Sequence, residues 1–347
     1  MVGKLGTETL ADFYSPELTH AAMKLVTEVR PISPGQEVLI TADTAADWRV
    51  AQATAAAVHT VGGIPTLISY PTLAEPMQDA PAPVAGAAVA ADVWVNFSVA
   101  YQLYSKAYHQ AIDAGCVYVE LTGMDVDMLV RTVGRVDYAA IQEMATRLYV
   151  MSQAAEQVRI TCDLGTDLTM TIDPAGDPFF EDPPSQGGYA QMLGGQSGYM
   201  AHRESYQGVL VYDGTIWPPA SIGLLAEPVS LSIENGCVTR VEGGRQARAY
   251  KTWLGAFDHP AARLMDHSCY GFNPGVTEPT GRILEDERVF GCMQFGLGAS
   301  AMGSPIHSDG VVLSPSVWLD DVQIQDHGRY VHPELAELCR SMGATGY

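Results

Sequence analysis

The chain has 347 residues, 47% hydrophobic and 17% charged, enough apolar material to fill the cores of two domains and too much for a disordered polymer. Its 40 Asp and Glu against 19 Lys and Arg give a formal net charge of −21, so most of the surface repels a phosphate backbone or an anionic membrane, and nucleic acid is not an expected partner. The opening MVGKLGTETLADFY carries no apolar run and the Ala-rich stretch 83–91 is too short to span a bilayer, so a soluble cytoplasmic chain without membrane attachment is expected.

Residues 1–150 alternate apolar strand-like runs with Ala-rich helical segments, the pattern of a βαβ layer with a largely parallel sheet. After the Pro34-Gly35 turn, 37–41 (EVLIT) reads as the first strand and 46–61 as a helix packed through its Ala face. Further strands are expected at 64–69, 92–98 and 116–121, with helices near 84–91 and 104–114. The turn after the first strand is Ala42-Asp43-Thr44-Ala45-Ala46-Asp47, so the glycine-rich fingerprint of a nucleotide-binding fold is absent.

A helix from about 138 to 157 precedes a change in composition, and 151–347 reads as a β-rich α+β domain. Short strands are expected at 158–163, 167–172, 208–212, 229–233 and 237–242. The last two flank Glu234-Asn235-Gly236, and Asn-Gly between alternating apolar runs signals a hairpin. Between the strands 167–172 and 208–212, the segment 173–198, crowded with Pro, Gly, Asp and Gln, reads as a lid over a site or as a long irregular connection. Six cysteines are scattered without a C-x-x-C pair, which argues against a zinc knuckle or a disulfide framework and for buried thiols.

The chemistry concentrates near the C-terminus. In His307-Ser308-Asp309 the side chains of residues i and i+2 point the same way on a strand, so the pair can grip one ion from one edge. The same pattern also describes a histidine capped by a carboxylate on a surface turn. Ser304-Pro305, the glycine-rich 296–303 and the strand-like Val311-Val312-Leu313 place the pair at the mouth of a strand. His267, in a loop-like Asp266-His267-Ser268-Cys269-Tyr270-Gly271 context, gains meaning only beside His307 and Asp309. Asp266, Glu278 and Asp286 are the nearby carboxylates able to orient the rings. Arg288, a cation in an acidic chain, suits an anionic or enol oxygen or a salt bridge to Asp286 or Glu285. Of the residues in the segment 198–206, His202 is the candidate acid or base, with Glu204 beside it. Neither a G-x-S-x-G elbow nor an H-E-x-x-H helix is present, against a common serine hydrolase or zincin.

Taken in order, 229–244 (VSLSIENGCVTRVEGG), His267-x-x-Tyr270-Gly271-Phe272-x-Pro274, Asp286-x-Arg288-x-Phe290 and Pro305-x-His307-x-Asp309 resemble the 2,5-dihydroxypyridine 5,6-dioxygenases. That family shares a structural superfamily with thermophilic leucyl-type metallo-aminopeptidases. The resemblance is clearest over 158–321. It implies that His267, His307 and Asp309 are the ligands of a mononuclear non-haem Fe(II) site, with Arg288 in the substrate pocket. The two-metal aminopeptidase branch carries a Gly-Glu where this chain has Gly198-Tyr199-Met200-Ala201, and the missing carboxylate favours one metal and oxygen chemistry.

The resemblance therefore implies a dioxygenase that uses O2 to cleave the ring of a hydroxylated pyridine or similar electron-rich aromatic; within that reaction His202, by its pKa range, or Glu204 is the residue expected to handle the proton. The alternatives are an aminopeptidase-like hydrolase of a small amide or peptide, with Zn(II), Co(II) or Mn(II) in the same triad, and a metal-free binding protein. A homo-oligomer is expected from the relatives. The segments 267–288 and 288–307 look shorter than in the family, and 173–198 aligns poorly, so the pocket walls differ.

Overall fold

The computed structural model describes residues 15–176, 188–298 and 302–347. In chain order the strands are β1 (Glu37–Asp43), β2 (Ile64–Tyr70), β3 (Val93–Asn96), β4 (Val117–Glu120), β5 (Gln157–Thr161), β6 (Asp167–Thr171), β7 (Ala190–Gln191), β8 (Gln196–Tyr199), β9 (Gln207–Tyr212) and β10 (Thr215–Trp217). They continue with β11 (Gly223–Leu224), β12 (Val229–Glu234), β13 (Cys237–Gly243), β14 (Met265–Gly271), β15 (Met293–Leu297), β16 (Ser308–Val312), β17 (Ser316–Leu319), β18 (Val322–Asp326) and β19 (Arg329–Tyr330).

The chain divides into two compact units, Met1–Tyr138 with Pro183–Leu193, and Ala139–Asp182 with Gly194–Tyr347. The boundary expected at 150 falls inside the helix Tyr138–Gln153. No helix among the described residues is long and apolar enough to cross a membrane.

The first unit holds a parallel sheet in the order β2-β1-β3-β4-β7. Successive residues of β1 and β3 are buried, so both faces are covered, and this explains why their sequences are apolar runs rather than alternations. Asp47 caps the helix Trp48–Thr60 by accepting from Arg49 N, and Ser105 caps Lys106–Asp113 by accepting from Tyr108 N. The strand order reverses between β1 and β3, where open α/β sheets receive their ligands. Here the chain fills the place itself. Asp43, at the end of β1, accepts from the backbone amides of Ala45, Ala46, Val99 and Ala100 at 3.1, 3.0, 2.9 and 3.3 Å, taking the donors that a phosphate would need.

The second unit is built on two antiparallel sheets, one ordered β11-β10-β16-β15-β14-β8 and one β13-β12-β9-β6-β5-β17-β18-β19. The expected Asn-Gly hairpin joins β12 and β13, with Asn235 and Gly236 at φ 50° and 73°, the left-handed geometry that a tight two-residue turn requires. The two sheets meet closely at Gly310, whose missing side chain leaves room for the Tyr212 ring.

Two expectations need correction. The context of His267 is strand, not loop: Met265–Gly271 is β14, buried at every position and paired with β15 on one side and β8 on the other. The segment 173–198 contains ordered strands, since Ala190–Gln191 extends the parallel sheet and Gln196–Tyr199 pairs with β14. Residues 177–187, the rest of the suggested lid, lie outside the described residues.

Candidate metal centre

Three neighbouring strands of the second unit bring the donors together. His307 directly precedes β16 and Asp309 lies in it, so the two side chains share a face, and Asp309 Oδ1 is 3.3 Å from His307 Nε2. His267 comes from β14, two strands away across β15, and its Nε2 is 3.6 Å from the same oxygen. Donors bonded to one ion at about 2.1 Å lie roughly 3 to 3.4 Å apart, so each histidine stands near ligand distance from Asp309, while the two rings, 5.2 Å apart between centres, would draw together on a shared ion. All three residues are buried.

Two local features make the convergence possible. Along β14 the register advances from Met265 to Ser268 while β15 advances only from Leu297 to Phe295, a bulge of one extra residue. Consecutive side chains, Asp266 and His267, then both reach the cluster, and Asp266 Oδ2 stands 3.7 Å from the Nδ1 of each histidine. The second feature is Gly296 on β15, opposite Asp309, where a Cβ would overlap the His267 ring. The ring lies over bare backbone.

The imidazoles are thus flanked by carboxylates at both edges. Among the described residues, the set whose ligand atoms all lie within 4.8 Å of one another is Asp266, His267 and His307. Burial favours a neutral Asp266, but His267, His307 and Arg203 outweigh it and hold the carboxyl below its usual range. Burial likewise opposes protonation of His307, yet Asp309, Asp266 and Glu287 raise it to about 9. Glu287 is pushed to about 8 by burial and by Asp309, against the pull of Arg288 and His307.

The other residues singled out in the sequence sit differently. Arg288 is fully buried, its Nη1 donating to Leu284 O at 2.7 Å and to Glu287 Oε2 at 3.1 Å. Its possible partners Asp286 and Glu285 are engaged by the 280–282 turn: Asp286 accepts from Thr280 N and Gly281 N, and Glu285 pairs with Arg282. His202 and Glu204 are exposed, with His202 Nδ1 3.7 Å from Asp173 Oδ2. Arg203, between them, was not singled out: it turns inward, donating to Met265 O at 3.1 Å and standing 3.9 Å from Asp266. Gln294, which touches both His267 and Asp309, was also missed, because a lone glutamine in an apolar run carries no spacing signal.

Several solved structures share this fold. The 2,5-dihydroxypyridine dioxygenase of Pseudomonas putida KT2440 superposes with a TM-score of 0.75 at 18% identity, over 92% of this chain and 98% of that one. Wild-type AmpT from Thermus thermophilus gives 0.66 at 16% identity, over 92% and 100%. No curated protein sequence matches. The profile of the 2,5-dihydroxypyridine 5,6-dioxygenase family, NicX, spans residues 18–332, and the chain belongs to that family. Its enzyme class is that of a dioxygenase.

Proposed function

We propose that this chain is a mononuclear non-haem Fe(II) dioxygenase that opens the ring of a hydroxylated pyridine or a similarly electron-rich aromatic, with His267, His307 and Asp309 as the metal ligands. The observation that carries the reading is the convergence of two imidazole Nε2 atoms on one buried carboxylate oxygen at 3.3 and 3.6 Å. Family membership supports it. Two neutral nitrogens and one carboxylate leave open positions on a divalent ion, the donor set of ferrous oxygen chemistry. Fe(II), when bound, supplies the redox couple through which an electron-rich ring can react with O2.

The protein's own groups prepare that reaction. The Asp266 carboxylate, 3.7 Å from the Nδ1 of each ring, favours the tautomer with the proton on Nδ1 and so leaves both Nε2 atoms to face Asp309. Arg203, 3.9 Å from Asp266, opposes a cation on the Nδ1 edge and so favours the Asp309 edge for the metal. Arg288 steadies negative charge on the substrate oxygen, with Glu287 balancing its buried guanidinium. His202 and Glu204, at the surface, exchange protons with solvent.

The test is elemental analysis of the purified protein together with oxygen uptake against a panel of hydroxypyridines. One equivalent of iron and substrate-dependent O2 consumption are expected. Turnover restored equally by Zn(II), Co(II) or Mn(II) without O2 consumption would select metal-dependent hydrolysis instead. Absence of any retained metal would point to a binding protein.

A further inference from the structure

Gln294 has no part in the reading above, yet it is the residue that joins the proposed ligands. It lies on β15, between the strands that carry His267 and Asp309, and it shares their face: Gln294 pairs with Cys269 of β14, and Gly296, two residues on, pairs with Asp309 of β16. It is completely buried. Its Nε2 donates to Asp309 Oδ1, and its Oε1 accepts from Gln196 Nε2 of β8 at 3.2 Å. The same two amide atoms lie 3.1 and 3.2 Å from His267 Nε2.

The sense of this chain follows from chemistry. An ionised carboxylate only accepts, so the amide nitrogen must face Asp309, and the amide oxygen is left for the Gln196 donor. Rotating the Gln294 amide by half a turn would oppose oxygen to oxygen at Asp309 and nitrogen to nitrogen at Gln196. Gln196 therefore holds the Gln294 amide in this sense, and Gln294 holds Asp309 Oδ1 in place.

We propose that Gln294 is a positioning residue of the metal centre, a neutral clamp that holds Asp309 in ligand geometry before the ion arrives. The proposal rests on the metal reading given above. Its neutrality matters, because Asp309, Asp266 and Glu287 already set three carboxylates about His307. A glutamate at 294 would add a fourth negative group and give Asp309 nothing to accept from. The amide instead uses one lone pair of Oδ1 and leaves the carboxylate free to bind with the other. Groups that orient ligands in this way commonly contribute about 10- to 100-fold in metal affinity.

The experiment is titration of the metal-free full-length chain with Co(II), followed by visible absorption and by calorimetry, in wild type, Gln294→Met and Gln196→Met. Methionine fills the glutamine volume without hydrogen bonds, and circular dichroism with thermal melting verifies folding. Wild type is expected to bind one Co(II). Gln294→Met is expected to bind about 10- to 100-fold more weakly with altered ligand-field bands, and Gln196→Met to shift both in the same direction by less. Wild-type affinity and spectrum in folded Gln294→Met would overturn the proposal; should that variant not fold, wild-type behaviour of Gln196→Met would overturn it. A wild-type chain that binds no divalent ion would overturn the metal reading itself, and this inference with it.

Discussion

The imidazoles of His267 and His307 lie stacked, 5.2 Å between ring centres and 22° from parallel, with Asp266 at their Nδ1 edge and Asp309 at their Nε2 edge. The two carboxylates are not equivalent. Asp309 stands closer to the nitrogens and is held by the neutral Gln294, whereas Asp266 is farther and faces the Arg203 guanidinium.

That asymmetry separates two substitutions. Asp309→Ala removes a proposed ligand, and elemental analysis of the purified variant is expected to show metal at background. Asp266→Asn keeps the shape of the site and loses only the charge that orients the rings, so one equivalent should still bind, about 10- to 100-fold more weakly. The reverse ranking in a calorimetric titration would move the metal to the Asp266 edge.

Gly296 is a steric prediction. A methyl group there overlaps the ring of the buried His267. Gly296→Ala is expected to cost about 1–3 kcal/mol in urea denaturation and to lower metal loading as well. A variant with wild-type stability and loading would show that the ring does not rest on that backbone.

In the first unit, Glu120 gives a pH signature. It is buried, accepts from Tyr118, Thr122 and Asn96, and is raised by burial from 4.5 to about 7. Because the folded state holds this proton more tightly than the unfolded chain, the contribution to stability is complete below pH 4.5 and is lost as pH rises through 7. The shift corresponds to about 3 kcal/mol. Glu120→Gln cannot ionise, so its stability relative to wild type should improve by about that amount between pH 4.5 and 8, measured by urea denaturation. A difference independent of pH would contradict this.

Much of this architecture can be read in the sequence, for physical reasons. Strands buried on both faces, such as β1 and β3, are continuous apolar runs, and Asn235-Gly236 supplies the backbone freedom that a hairpin needs. His307 and Asp309 share a face because of strand periodicity alone. β14 escapes such reading: Met-Asp-His-Ser-Cys-Tyr-Gly has the composition of a turn, and only its place between β8 and β15 makes it a strand. The bulge that turns Asp266 toward the histidines, the inward path of Arg203 and the clamp at Gln294 all depend on cross-strand register, which no local pattern encodes.

The most direct test of the central claim is an isotope experiment. Iron-loaded protein turning over a hydroxylated pyridine under 18O2 should give a ring-opened product that carries both labelled atoms, as a dioxygenase requires. Product that carries oxygen only from labelled water, formed without consumption of O2, would contradict the account.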